Sequence, residues 1–333
     1  MPSTVLEVHI FIYVYVNENN DKKKISITCF YSNKMQAFYL SFFFLLFFQV
    51  VFSQDISIKT RIIGGRRARE NEFPNQVGIV RRQGSKITTC GGTIIDDHWV
   101  LTAGHCMLED RDKNRPAKPE DVTIYLGAVD IKQSREKIEA VKIYVHPDLD
   151  PLRKPQTDIA MIRTKVRCVV GSHPSKKGYL GTDNVYTMKA TVPFSNKTSY
   201  VGKTVWTVGY GKKTNDMSER PDGILQTVDL KVLPDDVCER QYPKGIYNHR
   251  FMMCAGDLNG GKGSCNGDSG SPLLLKNDQQ DTQVILGLGL FGTFGGCGLK
   301  GTGGVYTKVS SFISWIEGVK EQFEEQENKE KTG

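Results

Sequence analysis

The chain has 333 residues, 39% of them hydrophobic, and its 44 basic and 37 acidic side chains leave a net charge of +7. That length and apolar fraction allow a sizeable core and up to two folding units. Apart from Lys22-Lys23-Lys24 there is no basic block, which argues against nucleic-acid binding.

In chain order, the first informative stretch is the apolar run of residues 37–52, preceded by Lys34 and followed by Ser53. It reads as the apolar core of a secretory signal. Such a core normally lies within a few residues of the start, yet Met35 is preceded by 34 others. We therefore read translation as starting at Met35, with residues 35–53 the signal peptide and residues 1–34 a gene-model extension. The rival reading is a type II membrane anchor with residues 1–34 as a cytoplasmic tail. A run of about 16 residues falls short of the ~20 needed to span, although Lys22 to Lys24 and Lys34 do lie on the side expected to stay inside. Residues 54–61 form a short, cysteine-free segment before Ile62. Export would permit disulfides, and of eight cysteines only Cys29 lies before the signal.

From there the chain reads as short strands rich in β-branched and aromatic residues. They are Thr93–Ile95, Val122–Leu126, Val141–Val145, Ile159–Ile162, Val205–Tyr210, Val228–Val232, Pro272–Leu275, Val284–Phe291 and Val305–Val309. Gly, Pro, Asn and Asp separate them, so the pattern predicts an all-β sandwich or barrel. Residues 168–202 are rich in Pro, Gly, Ser, Lys and Asn and read as a crossing between two halves. Within them Asn196-Lys197-Thr198 is a glycosylation sequon. Phe312, Ile316, Val319 and Phe323 then recur at helical spacing, predicting a C-terminal helix over about 312–323 with Ser311 as its cap. Its apolar stripe is expected against the second half of the chain, and the charged tail from Glu324 is expected to fray.

Three stretches carry chemistry. Gly263-Ser264-Cys265-Asn266-Gly267-Asp268-Ser269-Gly270-Ser271-Pro272 presents one hydroxyl, that of Ser269, among glycines. A serine needs a base, an acid behind the base, and N–H donors aimed at the developing oxyanion. Gly267 has no side chain to block such an approach. Thr102-Ala103-Gly104-His105-Cys106 sets a histidine after a strand-forming run, and Thr157-Asp158-Ile159-Ala160 sets an acid before an apolar one. A fourth stretch, Arg61-Ile62-Ile63-Gly64-Gly65, has a basic residue before two isoleucines.

In the order His, Asp, Ser, and with the Arg61-Ile62 site ahead of them, these motifs resemble the trypsin/chymotrypsin family of serine proteases from about Arg61 to Trp315. The resemblance implies two six-stranded antiparallel β-barrels with a C-terminal α-helix and an active site between the barrels. It implies His105 as general base, Asp158 as the acid orienting it, Ser269 as nucleophile, and the N–H groups of Gly267 and Ser269 as oxyanion hole. Cleavage after Arg61 by a trypsin-like protease would free an ammonium on Ile62 to pair with Asp268. Disulfides are implied for Cys90–Cys106, Cys238–Cys254 and Cys265–Cys297. A fourth bridge common in relatives is replaced here by Val205 and Leu275, and Cys168 remains as either a buried thiol or an intermolecular link.

The resemblance also frames specificity. Trypsin-like members carry an aspartate where this chain has Gly263, and Gly292 and Gly304 occupy the pocket walls, implying an open, neutral pocket for Phe, Tyr, Leu or Met. Two departures stand out. Leu290 replaces a serine that supports the aspartate, and Ser271 replaces a glycine. The expected protein is a secreted, monomeric zymogen acting on protein or peptide substrates and met by protease inhibitors. No cofactor or metal is expected, nor any membrane association after activation. The alternative is a catalytically weak or inactive homologue acting as a binding or cascade cofactor protein.

Overall fold

A computed structural model describes residues 62–332 apart from 111–114, 135, 152–154, 169–186, 194, 196–197, 217, 278–281 and 293–294. The apolar run of 37–52, Arg61, Asn196 and most of the predicted crossing thus lie outside the described residues. Among the described residues no helix is long and apolar enough to cross a membrane.

The strands are β1 (Arg66–Arg67), β2 (Gln76–Gln83), β3 (Lys86–Asp96), β4 (Trp99–Thr102), β5 (Leu108–Asp110), β6 (Arg115–Pro116), β7 (Val122–Leu126), β8 (Lys137–Val145), β9 (Ala160–Thr164), β10 (Thr204–Gly209), β11 (Gln226–Leu233), β12 (Met252–Gly256), β13 (Pro272–Asn277), β14 (Thr282–Phe291) and β15 (Gly304–Lys308). The first barrel closes in the order β2-β3-β4-β9-β8-β7. The second runs β11-β10-β13-β14-β15-β12, closes through β11 and β12, and carries β1 on its edge. All these pairings are antiparallel, so the two expected six-stranded barrels are present.

Period-2 alternation decides which face of each strand goes where. In β4 and β9, Val100, Ala160 and Ile162 fill the first barrel. Their neighbours Trp99, Leu101 and Met161 point the other way, into a cluster shared with Val208, Leu274 and Ile285 of the second barrel. Val205, Leu273 and Leu286 fill that barrel's own interior. Two barrels of alternating strands thus generate three cores: one inside each and one between them.

Cys90–Cys106, Cys238–Cys254 and Cys265–Cys297 are bonded. Val205 of β10 and Leu275 of β13, read above as replacing a fourth bridge, pack into one apolar cluster. Cys168 is a free, fully buried thiol beside Thr164 Oγ1 at 3.2 Å, and burial pushes its pKa up to about 11. This burial favours the buried-thiol reading over the intermolecular link.

Two helical expectations are corrected. Short α1 (Asp235–Glu239) precedes β12, and the C-terminal helix α2 runs Ile313–Thr332, through the charged tail expected to fray. Lysines in its last turn, Lys329 and Lys331, suit the negative end of the helix dipole. Ser311 lies in a preceding 3-10 turn and donates its hydroxyl hydrogen to Arg250 O at 2.5 Å, so it serves β12's approach and not the helix. The stripe also meets the first barrel: Phe323 packs edge-on to Trp99 at 5.6 Å, and Lys320 Nζ lies 3.1 Å from Asp96 Oδ2. A helix from the chain's end can do this because the two barrels share a core.

Candidate active site

His105 stands on the 3-10 turn Gly104–Met107, directly after β4, where the Cys90–Cys106 disulfide ties the turn to β3. Asp158 sits between the turn Pro155–Thr157 and β9, with 1% of its surface exposed. Its Oδ2 accepts from His105 Nδ1–H at 2.6 Å, and its Oδ1 accepts from the His105 backbone N–H at 2.7 Å. Both carboxylate oxygens are spent on one residue. The ring is thereby fixed in the tautomer that leaves Nε2 as the acceptor.

Ser269 comes from the loop before β13, and its carbonyl accepts the N–H of Gly91 on β3 at 2.8 Å. A glycine is required there, because a Cβ on Gly91 would lie 2.8 Å from the Ser271 backbone. His105, Asp158 and Ser269 line one cleft of about 740 Å³. Among the described residues no hydrogen bond joins the Ser269 hydroxyl to the imidazole. Such bonds are often long without substrate and tighten when it binds.

Among the described residues the N–H groups of Gly267 and Ser269 have no acceptor, whereas their neighbours Asp268, Gly270 and Ser271 all donate within the loop or to β14. Two free donors flanking Asp268 in one loop are suited to binding an oxyanion. Gly267 has φ 100°, and a Cβ there would lie 3.0 Å from Gly211 Cα, so both conformation and space select glycine.

Behind the loop, Asp268 is 2% exposed and accepts N–H bonds from Cys265 and Gly211, each 2.8 Å. Burial outweighs those two donors and pushes its pKa up to about 6. Ile62 is fully buried with φ 47°, among Val205, Val228 and Leu230, and Ile63 O accepts the N–H of Gly263 at 3.1 Å.

Of the three predicted pocket glycines, Gly292 lines the cleft. Gly263 and Gly304 adjoin it through Ser264: Gly263 precedes that lining residue, and a Cβ on Gly304 would lie 3.4 Å from its Oγ. Leu290 is buried, lines the cleft and offers Asp158 no hydrogen bond. Ser271 Oγ is buried without a partner among the described residues. Thr307 escaped the sequence reading. Thr307 of β15 donates its hydroxyl hydrogen to Asp158 O at 2.9 Å, holding the first barrel's acid from the second barrel. Nothing local marks it, since Thr307 sits in a run that reads only as strand.

Among the described residues no group of His, Cys, Asp and Glu could hold a metal ion. The family model "Trypsin" matches residues 62–316. The chain is 33% identical to rat trypsin V-B over 257 residues, covering 77% of this chain and 88% of that protein. It is 32% identical to human serine protease 1 over 260 residues, with the same two coverages. A histidine–aspartate pair and a serine in one inter-barrel cleft, on a fold matched over most of its length, place this chain in the trypsin family of serine proteases.

Proposed function

We propose that the protein is a secreted serine endopeptidase, made as a zymogen and cutting after large apolar residues. The observation that carries this is the cleft lined by Ser269 and by an imidazole already oriented by Asp158, with two unengaged backbone donors in the Ser269 loop. On this reading His105 Nε2 takes the Ser269 proton as Oγ attacks the peptide carbonyl, and the N–H groups of Gly267 and Ser269 receive the oxyanion. The imidazolium then gives that proton to the leaving amine, and water repeats the sequence on the acyl-enzyme. Asp158 steadies the imidazolium throughout.

Cleavage after Arg61 would convert the Ile62 amide into an ammonium. Asp268 is a buried carboxylate whose raised pKa reflects the cost of ionising it there. A new cation would relieve that cost, and this gives activation its driving force. The glycines at 263, 292 and 304 place no charge where a substrate side chain would enter, which supports apolar preference.

The test is expression of residues 54–333, cleavage by trypsin, confirmation of the Ile62 terminus, and assay of matched Phe, Leu, Arg and Ala peptide substrates. Turnover should follow Phe or Leu and fall at least about a thousandfold in Ser269→Ala. Preference for Arg would overturn the specificity. No turnover after clean activation would overturn the catalytic reading.

A further inference from the structure

Two loops far apart in sequence wall the cleft: the connection after β10, through Lys212, Thr214 and Asn215, and the connection before β15, through Gly295, Gly296 and Cys297. They meet at one side chain. The Cys297 N–H donates to Asn215 Oδ1 at 2.6 Å, and Asn215 Nδ2 donates to Cys297 O at 3.2 Å. An asparagine amide has one acceptor and one donor edge, so it pairs with the N–H and C=O of one residue as a facing residue on a neighbouring antiparallel strand would. The fit is close. Gly296 has φ 145°, and a Cβ on it would lie 2.9 Å from Asn215 Oδ1.

Each side of this contact is anchored to the catalytic loop. Cys297 is disulfide-bonded to Cys265, and Lys212 N–H donates to Asn266 O at 2.8 Å, so both walls reach the segment carrying Gly267 and Ser269. The Asn215 loop is also shaped from within. Glu219 Oε2 accepts from Lys213 N, Thr214 N and Thr214 Oγ1 at 3.2, 2.8 and 2.7 Å, and Asp216 Oδ1 accepts from Ser218 N and Oγ, both at 2.8 Å. These bonds hold Asn215 in its presenting position although the residue is exposed. An exposed amide in two directed bonds across the mouth of a cleft has given up rotamer freedom that solvent would have left it.

We infer that Asn215 is a specificity-determining positioning residue, whose amide clasps the two cleft walls and sets the opening for the side chain before the scissile bond. This rests on the protease reading of the cleft. A large side chain touches both walls and feels their separation, whereas alanine does not.

The experiment uses the trypsin-activated chain and three forms: parent, Asn215→Ala and Asn215→Asp. In Asn215→Ala, KM for a Phe substrate should rise about five- to tenfold with kcat little changed, while kcat/KM for the matched Ala substrate stays within about twofold. Asn215→Asp keeps the acceptor for Cys297 N–H and loses the donor, so it should fall between the two. A second readout needs no activity. In the Ser269→Ala background, Asn215→Ala should let trypsin nick the loop after Lys213 several-fold faster than the Ser269→Ala parent. Equal nicking would show that the clasp does not hold the loop and would overturn the inference. Faster nicking with an unchanged Phe-to-Ala ratio would overturn the specificity role. If the parent hydrolyses neither substrate, the protease reading and the specificity role fall together, while nicking still decides whether the clasp exists.

Discussion

Asp268 links burial and proton binding at a single carboxyl group. Its pKa in the uncleaved chain lies near 6 against a usual 3.8, so the folded state binds a proton more tightly than the unfolded one. Stability from this source is fully present below about pH 4 and is lost as pH rises through 6. The loss is on the order of 3 kcal/mol, 1.36 per pKa unit. Uncleaved chain carrying Ser269→Ala should therefore melt lower at pH 7.5 than at pH 5 by roughly half of this contribution, the part that survives at pH 5, and Asp268→Asn should flatten the difference. After cleavage at Arg61 the drop should shrink, because an Ile62 ammonium favours the ionised form. Thermal melts across pH would check all three. Thr307 makes a second residue-scale prediction. Removing its hydroxyl in Thr307→Val costs one buried hydrogen bond to Asp158 O, about 1 kcal/mol, and should lower kcat roughly fivefold while leaving KM unchanged in steady-state assays. The motif residues His105, Asp158 and Ser269 were legible in the sequence because each needs a particular neighbourhood of small or apolar residues along the chain itself. Thr307 and Asn215 were not, because their roles arise from register and from the meeting of distant loops.

Among elements, strands with β-branched alternation announced themselves, and those without did not. The sequence reading found β7, β10 and β11 but passed over β12, whose Met252-Met253-Cys254-Ala255-Gly256 holds no β-branched or aromatic residue. All five are buried, and pairing with β11 and β15 makes them a strand. Tertiary context overrides propensity here. It also passed over β2, where Gly78 interrupts the pattern: a Cβ there would strike Ile131 at 2.6 Å. The pairing of β10 with β13 sets Trp206 opposite Leu274 and Thr207 opposite Leu273, so Val205 and Leu275 follow as the next facing pair. Replacing both by cysteine should form a bridge. Closing that loop of some 70 residues is worth about 4 kcal/mol in chain entropy, partly offset by the lost apolar side chains. A net gain of about 2 kcal/mol, a rise of several degrees in Tm that reductant abolishes, is expected, and thiol titration should still find one buried thiol, that of Cys168.

At the scale of the whole molecule, the core between the barrels makes them one unit, and α2 completes it. Arg163 of β9 lies with its guanidinium 5.7 Å from the Trp99 ring and 4.8 Å from that of Phe323, so the helix, β4 and β9 meet at one cation–π contact. Phe323→Ala should cost about 2–3 kcal/mol, somewhat less than a fully buried aromatic because Phe323 is only partly covered. Removing residues 325–333 should leave the melting temperature within about 1 °C, since the side chains of that segment are largely exposed. Calorimetry on both variants separates the anchoring part of α2 from its tail.

The same helix gives the chain an order of completion. Barrel one supplies His105 and Asp158 and leaves the ribosome well before the segment whose Phe323 packs on Trp99. Until the final residues through Phe323 emerge, that aromatic face of the first barrel has no roof. Domains tend to fold as they are synthesised, N-terminal first. Here the nascent first barrel keeps Trp99 uncovered until Phe323 of α2 has been made, so a chain that stops before α2 leaves that apolar face exposed.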